Sequence, residues 1–365
     1  MSIPWRDAMS RALYGPDGFF VTGTGPAAHF RTSVHASPAF TAALLRLITQ
    51  VDVALSHPAR FDVVDVGAGR GELLHGLLAL VASEGAVGLG VGGSARPSGD
   101  DPSLVTARPS LAERVRFTAV ELAPRPEHLT EQINWVSEIP DGITGVLLAT
   151  EWLDNVPLDV AVHTEDGWRY LLVDPDSGAE TVGGPVSPPD LDWLTTWWPA
   201  SPDSAETPHS DQQRAEIGRT RDDAWAEAVK KVQRGMAVAV DYGHLGESRP
   251  VDGTLTGYRG GRQVPPVPDG SADVTAHVAM DSVASAGAAV ARCAYSLVSQ
   301  REALRAPGAD GGRPPLSLAG TDPVGYVRAL AAASAVAELT DPTGLGGHWW
   351  LRQPVGIPLG PAVAR

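Results

Sequence analysis

The sequence predicts an α/β fold: a mostly parallel sheet with helices on both faces. Three observations carry that expectation. Apolar, β-branched runs of strand length alternate with stretches of helical periodicity. One such run, 61-FDVVDV-66, opens directly into the glycine-rich turn 67-GAGRG-71 and a helix start. Two later runs, 143-ITGVLLATE-151 and 236-MAVAVDYG-243, read as buried strands with acidic ends.

Taken in order, Trp5–Leu13 is expected to form a short helix followed by an irregular loop. Ser37 and Pro38 read as the N-cap and first-turn proline of a helix whose Phe40, Leu44, Leu47, Ile48 and Val51 share one face. A strand over Phe61–Val66 leads into a helix from about Gly71 to Ala82. The Gly/Ser/Pro/Asp-rich segment 84–110 has no periodicity and reads as a mobile surface insertion. A second strand is expected over Arg116–Leu122, closing on Glu121. The stretch 158–174 reads as a hairpin around Asp166-Gly167. The tryptophan-rich 191-LDWLTTWWP-199 precedes a charged helix opened by a Ser210/Gln213 capping box, lined by Ile217, Trp225, Val229 and Val232, and ended at Gly235. Trp193, Trp197 and Trp198 read as packing residues or a partner-facing patch. Residues 322–339 should be helical, and 347–356 should return a strand to the sheet. The organisation expected is an N-terminal helical and loop extension over 1–57, then a core over 58–365 with insertions at about 84–110 and 185–235.

Composition narrows the function. The 365 residues, 43% hydrophobic, carry a net charge of −15 and no cluster of basic residues, which argues against a general nucleic-acid binder. The expected partners are a protein substrate or a small-molecule acceptor, with no nucleic acid and no membrane; the sequence permits a homodimer. The single cysteine, Cys293, rules out an internal disulfide or a thiolate metal cluster and suits a cytoplasmic protein. The histidines lack close metal-ligand spacing, so no metal site is expected. Neither an export signal nor a membrane-spanning run is expected.

The turn carries the first chemical argument. Glycine suits it because positive φ costs little and the missing Cβ lets a ligand approach. A dinucleotide site would want GxGxxG, but Glu72 occupies the third glycine's place, where its carboxylate would repel a pyrophosphate at the helix N-terminus. A dehydrogenase is therefore the weakest contender. S-adenosylmethionine is phosphate-free and cationic, and suits a site edged by Asp65, with Gly67, Ala68, Gly69 and Gly71 behind it. Glu121, followed by Leu122, closes the second strand where an acid can accept hydrogen bonds from both ribose hydroxyls. The 84–110 insertion accounts for its long separation from the turn.

Several blocks in order resemble one known family, the MidA-like methyltransferases, relatives of the mitochondrial complex I assembly arginine methyltransferase. They are 14-YGPDGFF-20, 29-HFRTSVHASPAF-40, 65-DVGAGRGEL-73, 118-TAVELAP-124, 149-ATEWLDNVP-157, 240-VDYGH-244, 253-GTLTGYRGGR-262 and 271-SADVTAHV-278. The resemblance implies a Rossmann-like class I methyltransferase fold with S-adenosylmethionine as donor. It also implies that mitochondrial members dimethylate an arginine of a complex I subunit, while the substrates of bacterial members do not follow. His29, His35, Val34 and Thr150 depart from the family pattern, which bears on the substrate more than on the cofactor.

Arginine methylation needs a guanidinium held with one nitrogen in line with the donor methyl, and carboxylates do this through bidentate hydrogen bonds. Glu151 and Asp154, just past a core strand, have that chemistry, with Asp154 supporting Glu151 or fixing the loop. Asp154 with Asn155 and Pro157 could equally form a simple turn. The resemblance places His277 near the substrate. Ser33 lies in a loop able to fold over the cofactor, though Ser33 and Ser37 serve equally as caps. Methylation of a small molecule at N or O, and a non-catalytic assembly factor that keeps the fold, are the competing readings. Two converging carboxylates in an open groove would favour arginine, and a closed apolar cavity would favour a metabolite.

Overall fold

The computed structural model describes residues 1–22, 33, 37–90, 109–199, 213–305 and 312–358. Its central sheet comprises β1 (Phe61–Val66), β2 (Val115–Val120), β3 (Ile133–Val136), β4 (Ile143–Thr150), β5 (Val232–Asp241), β6 (Ser296–Ser299) and β7 (Trp349–Val355), in the order β6-β7-β5-β4-β1-β2-β3. Strands β3, β2, β1, β4 and β5 are parallel neighbours, whereas β7 pairs antiparallel with both β5 and β6. The strand order reverses between β1 and β4. In open α/β sheets such a reversal leaves a crevice outside the strands' carboxyl ends.

The longer helices are α1 (Trp5–Tyr14), α2 (Pro38–Ala54), α3 (Glu72–Gly90), α4 (Pro188–Trp197), α5 (Arg219–Lys230), α6 (Met280–Ala291) and α7 (Pro323–Leu339). Successive strand residues point to opposite faces, so β1 buries Val63 on one side and Val64 on the other. On the Val63 face, α2 and α3 bring Phe40, Leu44, Ile48, Leu74 and Leu77 against Val146 and Val238. On the Val64 face, α5 and α6 bring Trp225, Val229 and Val283 against Leu147 and Ala237. This two-faced cover is why the strands read as unbroken apolar runs. The Ser37 side chain accepts the Ala39 N–H at the start of α2, so the cap and proline act as the sequence suggests.

Between β4 and β5 the chain builds a second sheet. Ile3–Pro4, Gly167–Val173, Asp159–Thr164 and Arg214–Ile217 lie side by side, with Glu180–Pro185 paired to Gly167–Val173. Trp5, Met9 and Leu13 of α1 pack on this unit, which brings Tyr14 and Phe20 over the crevice. Asp159–Thr164 and Gly167–Val173 form the expected hairpin, with Thr164 paired to Gly167 and the tip therefore at Glu165-Asp166.

Several expected boundaries differ. The helix expected to stop near Ala82 continues to Gly90, so 84–90 is helical; residues 91–108 of the expected insertion lie outside the described residues. The second strand stops at Val120 and leaves Glu121 just beyond it. Phe19–Thr22 forms a short helix where only loop was expected, and β3 was not anticipated at all. The charged helix is shorter than expected. Ser210 lies outside the described residues, Gln213 precedes a strand, α5 begins at Arg219, and Val232 and Gly235 belong to β5. The reason is pairing: 214-RAEI-217 alternates and bonds to Asp159–Val162, which outweighs its local helical potential. Trp193 and Trp198 are buried in the core of the second sheet, so they pack rather than face a partner.

Candidate functional site

The turn after β1 has φ of +71° at Gly67, +59° at Gly69 and +83° at Gly71. A Cβ on Gly67 would lie 2.9 Å from Trp152 Cδ1, and one on Gly71 would lie 2.9 Å from Leu129 Cδ1. Glycine is thus required there for conformation and for room. Gly67→Ala is expected to lower stability by about 1–2 kcal/mol from the left-handed backbone alone. Thermal unfolding measures this, and a native midpoint would show that the turn tolerates a side chain.

Glu121 is clamped at the mouth of this turn. Its Oε2 accepts the Gly69 N–H at 3.0 Å, and its Oε1 accepts the N–H groups of Leu122 and Ala123 at 2.7 and 3.2 Å. A cavity of about 660 Å³ opens here. Its wall includes Gly67, Gly69 and Arg70 of the turn, Glu121 and Leu122 after β2, Ser137 and Ile139 beyond β3, Glu151, Trp152 and Asn155 after β4, and Tyr14 and Phe20.

The other expected residues stand elsewhere. Ala68 and Gly71 shape the turn without lining the cavity. Asp65 lies one residue before the wall residue Val66, in a strand covered on both faces, so it is buried beneath the site rather than at its edge. Burial, then the charges of Glu121 and Glu72, raise its pKa to about 8. Ser33 is also outside the wall: its N–H donates to Glu151 Oε1 at 2.9 Å, and its hydroxyl lies 3.2 Å from the Gln300 amide nitrogen. It supports Glu151 rather than the cavity floor.

Glu151 follows β4 with φ of +51°, a conformation costly for a side chain of this size. Its N–H donates to Val240 O at 2.7 Å, which ties the bend to β5. Asp154 does not converge with it on the cavity. It is 1% exposed, and its Oδ2 accepts from the Tyr242 hydroxyl and from the Thr275 hydroxyl at 2.8 Å. The residues Leu153–Asn155 do form a short 3₁₀ turn. Asp241 closes it by accepting the N–H groups of Leu153 and Asp154 at 3.0 and 3.3 Å. Burial raises the pKa of Asp154, Asp241 and Asp273, and the fully buried Arg221 opposes that rise at the first two. His277 is an exposed residue outside the cavity wall, its ring 5.2 Å from that of Tyr242 between centroids and close enough to packed groups for burial to lower its pKa.

Sequence reasoning passed over Trp152, Asn155, Tyr14 and Phe20 as wall residues, although each lies inside a block that resembles the family. Ser137 and Ile139 gave less signal because the short β3 before them went unread. It also passed over His348, which precedes β7 and stands 4.0 Å from Glu151.

Two crystal structures of a Burkholderia thailandensis protein align with 98% of this chain and 89% of theirs at 22% identity. The one bound to S-adenosyl-homocysteine gives a TM-score of 0.72 and the native one 0.69, which establishes the fold. The mitochondrial protein arginine methyltransferase NDUFAF7 of Danio rerio is 32% identical over 157 residues, 39% of this chain. The chain matches only 32% of that relative's length. Residues 43–297 match the family described as "putative S-adenosyl-L-methionine-dependent methyltransferase", a stretch that takes in the glycine turn, Glu121 and Glu151. This chain belongs to that family.

Proposed function

We propose that this chain is an S-adenosylmethionine-dependent methyltransferase acting on an arginine of a protein, with Glu151 holding the guanidinium. The observation that carries this reading is Glu151 itself: a carboxylate in a strained bend at the end of a central strand, in the wall of the cavity that begins at the glycine turn. Left-handed backbone at a non-glycine residue costs of order 1–3 kcal/mol, and such strain gathers at functional sites. The arginine methyltransferase activity of the zebrafish relative supports the same class of acceptor.

The donor suits the cavity. Gly67 and Gly69 leave backbone open to it, Glu121 offers carboxylate oxygens to ribose hydroxyls, and Asp65 supplies a latent negative charge below. When bound, S-adenosylmethionine supplies an activated methyl group. The chain's own task is to position the acceptor nitrogen, because most of the acceleration in a single displacement comes from orientation. A cytoplasmic setting fits this reading and the single cysteine.

Incubating lysate from a strain lacking the protein with radiolabelled donor, then hydrolysing the labelled species, tests the proposal. Labelled methylarginine is the expected product; label confined to another residue or to a metabolite rejects it. The second reading, a small N- or O-acceptor, draws on the withdrawal of Asp154, which leaves Glu151 without the second acid expected to converge with it on the acceptor.

Asp65 gives a pH prediction. Its folded pKa of about 8 stands above an unfolded value near 3.9, so the empty fold is favoured with Asp65 protonated and loses that advantage as pH rises from one value to the other. A cationic ligand reverses the preference and expels the proton. Donor affinity should therefore rise by up to roughly tenfold per pH unit between about pH 6 and 8. Asp65→Asn should flatten the profile; calorimetry across that range would sink the assignment if native and variant profiles coincided.

A further inference from the structure

Outside the cavity wall, next to Glu151, three rings gather: Tyr242, His277 and His348. Tyr242 follows β5, His277 follows the short strand Asp273–Thr275, and His348 precedes β7, so three chain segments bring their rings together. The Tyr242 ring lies 5.2 Å from that of His277 and 5.5 Å from that of His348. The groups differ in what they have left to offer. The Tyr242 hydroxyl is committed to Asp154 and Thr275. Asp154 is buried behind it, and His277 opens to solvent. The His348 side chain is 10% exposed, and its backbone is fixed by bonds to Leu345 O at 3.1 Å and from Gln300 N at 2.7 Å. Its Nδ1 is buried, has no hydrogen-bond partner among the described residues, and faces Glu151 Oε1 at 4.0 Å. A buried imidazole nitrogen left without a partner costs stability, which calls for a reason to keep it.

We propose that His348 is the proton relay behind Glu151, taking up through that carboxylate, and passing on, the proton which the acceptor nitrogen must release. The proposal rests on the arginine reading. A guanidinium and a sulfonium carry two positive charges between them; a methylguanidinium and a thioether carry one. As the N–C bond forms, the C–S electron pair stays on sulfur, and one N–H proton has to leave. Glu151 receives it from the nitrogen it holds, and His348 Nδ1 receives it from Glu151 once the 4.0 Å between them closes to hydrogen-bond length or one water bridges it. The imidazolium so formed sits against the restored carboxylate. His348 acts through Glu151 and does not touch the acceptor. Burial first, then the nearby His277, lower its pKa to about 4, so the ring is neutral at pH 7 and hands the proton on rather than keeping it. The groups facing it are Glu151, Tyr242 and His277. Tyr242 stays protonated, because burial and the carboxylates around it push its pKa well up.

The test compares the native protein with His348→Gln and His348→Ala, using deletion-strain lysate and labelled donor as the assay. His348→Gln should lose roughly a hundredfold in the rate at saturating lysate, with donor affinity and half-saturating lysate concentration within about twofold. His348→Ala should lose as much, and added imidazole should restore at least about a tenth of the native rate in proportion to its neutral form, a recovery that a packing defect does not show. A native rate in His348→Gln, or no recovery with imidazole, overturns the proposal. A separate arm needs no acceptor. Nitrogen NMR of histidine-labelled protein loaded with S-adenosyl-homocysteine should find Nδ1 of His348 without a proton at pH 7, and a protonated Nδ1 overturns the proposal by itself. If the label is found on something other than arginine while both His348 results hold, the arginine reading and the guanidinium step written on it fail, and only the relay between Glu151 and His348 stands.

Discussion

Glu151→Gln is expected to lower methyl transfer by roughly hundredfold, about 2.7 kcal/mol of transition-state stabilisation, while donor affinity stays within about twofold. The substitution keeps the shape and one carbonyl oxygen. What it removes is the charge that orients a cationic acceptor and takes its proton, and hydrogen bonds to charged groups are worth about 1.5–3 kcal/mol. The backbone makes the test sharper. Because Glu151 sits at φ +51°, Glu151→Asn places a residue there that tolerates left-handed geometry better. That variant should unfold at or above the native temperature and be as inactive as Glu151→Gln. Calorimetric unfolding and initial rates on the same samples decide it: loss of activity together with several degrees of lost stability would make Glu151 a structural residue.

The same bend shows how far the sequence could be read. Strand β1, helix α2, the glycine turn and the acid after β2 were all legible, because each depends on local chemistry: β-branched runs, a Ser-Pro cap, glycines that alone accept positive φ. The fold class followed from their alternation. Three things depend on contacts distant in sequence and were not legible. The strand 214-RAEI-217 exists because Asp159–Val162 lies beside it. Asp154 is withdrawn from the cavity because Tyr242 and Thr275, 88 and 121 residues away, bond its carboxylate. His348 stands beside Glu151 only because β7 runs antiparallel to β5, which delivers the start of the last strand to the carboxyl end of the sheet. Ser33 illustrates the limit of local reading: a loop able to fold over the cofactor and a helix cap were equal expectations for it, and its N–H is spent on Glu151, 118 residues away.

Arg221→Met should be the most damaging single change to the fold, because this one buried side chain joins the segments that carry the site. Its guanidinium donates to Val156 O at 3.2 Å, to Ala276 O and His277 O at 3.0 Å each, and to Asp154 O. Helix α5 is thereby pinned both to the loop after β4 that holds Glu151 and to the block that holds His277. Methionine fills the volume and leaves those four carbonyls without their donor. It also leaves Asp154, Asp241 and Glu216 without the positive charge that lowers their pKa values. Breaking a buried charged arrangement in this way costs about 3–5 kcal/mol. Arg221→Lys keeps the charge, but a single ammonium cannot match the planar fork, and it should recover only part of the loss. The sign of the pH dependence follows from the same groups. Without Arg221 the three carboxyls hold protons more tightly in the folded variant than in the native fold, so lowering the pH satisfies them. The stability gap between native and Arg221→Met should therefore be larger at pH 8 than at pH 5, as measured by denaturant unfolding at both values. A gap that widened toward pH 5 would mean that Arg221 is held by its carbonyl bonds alone and that its charge plays no part in keeping the acids beneath the site ionised.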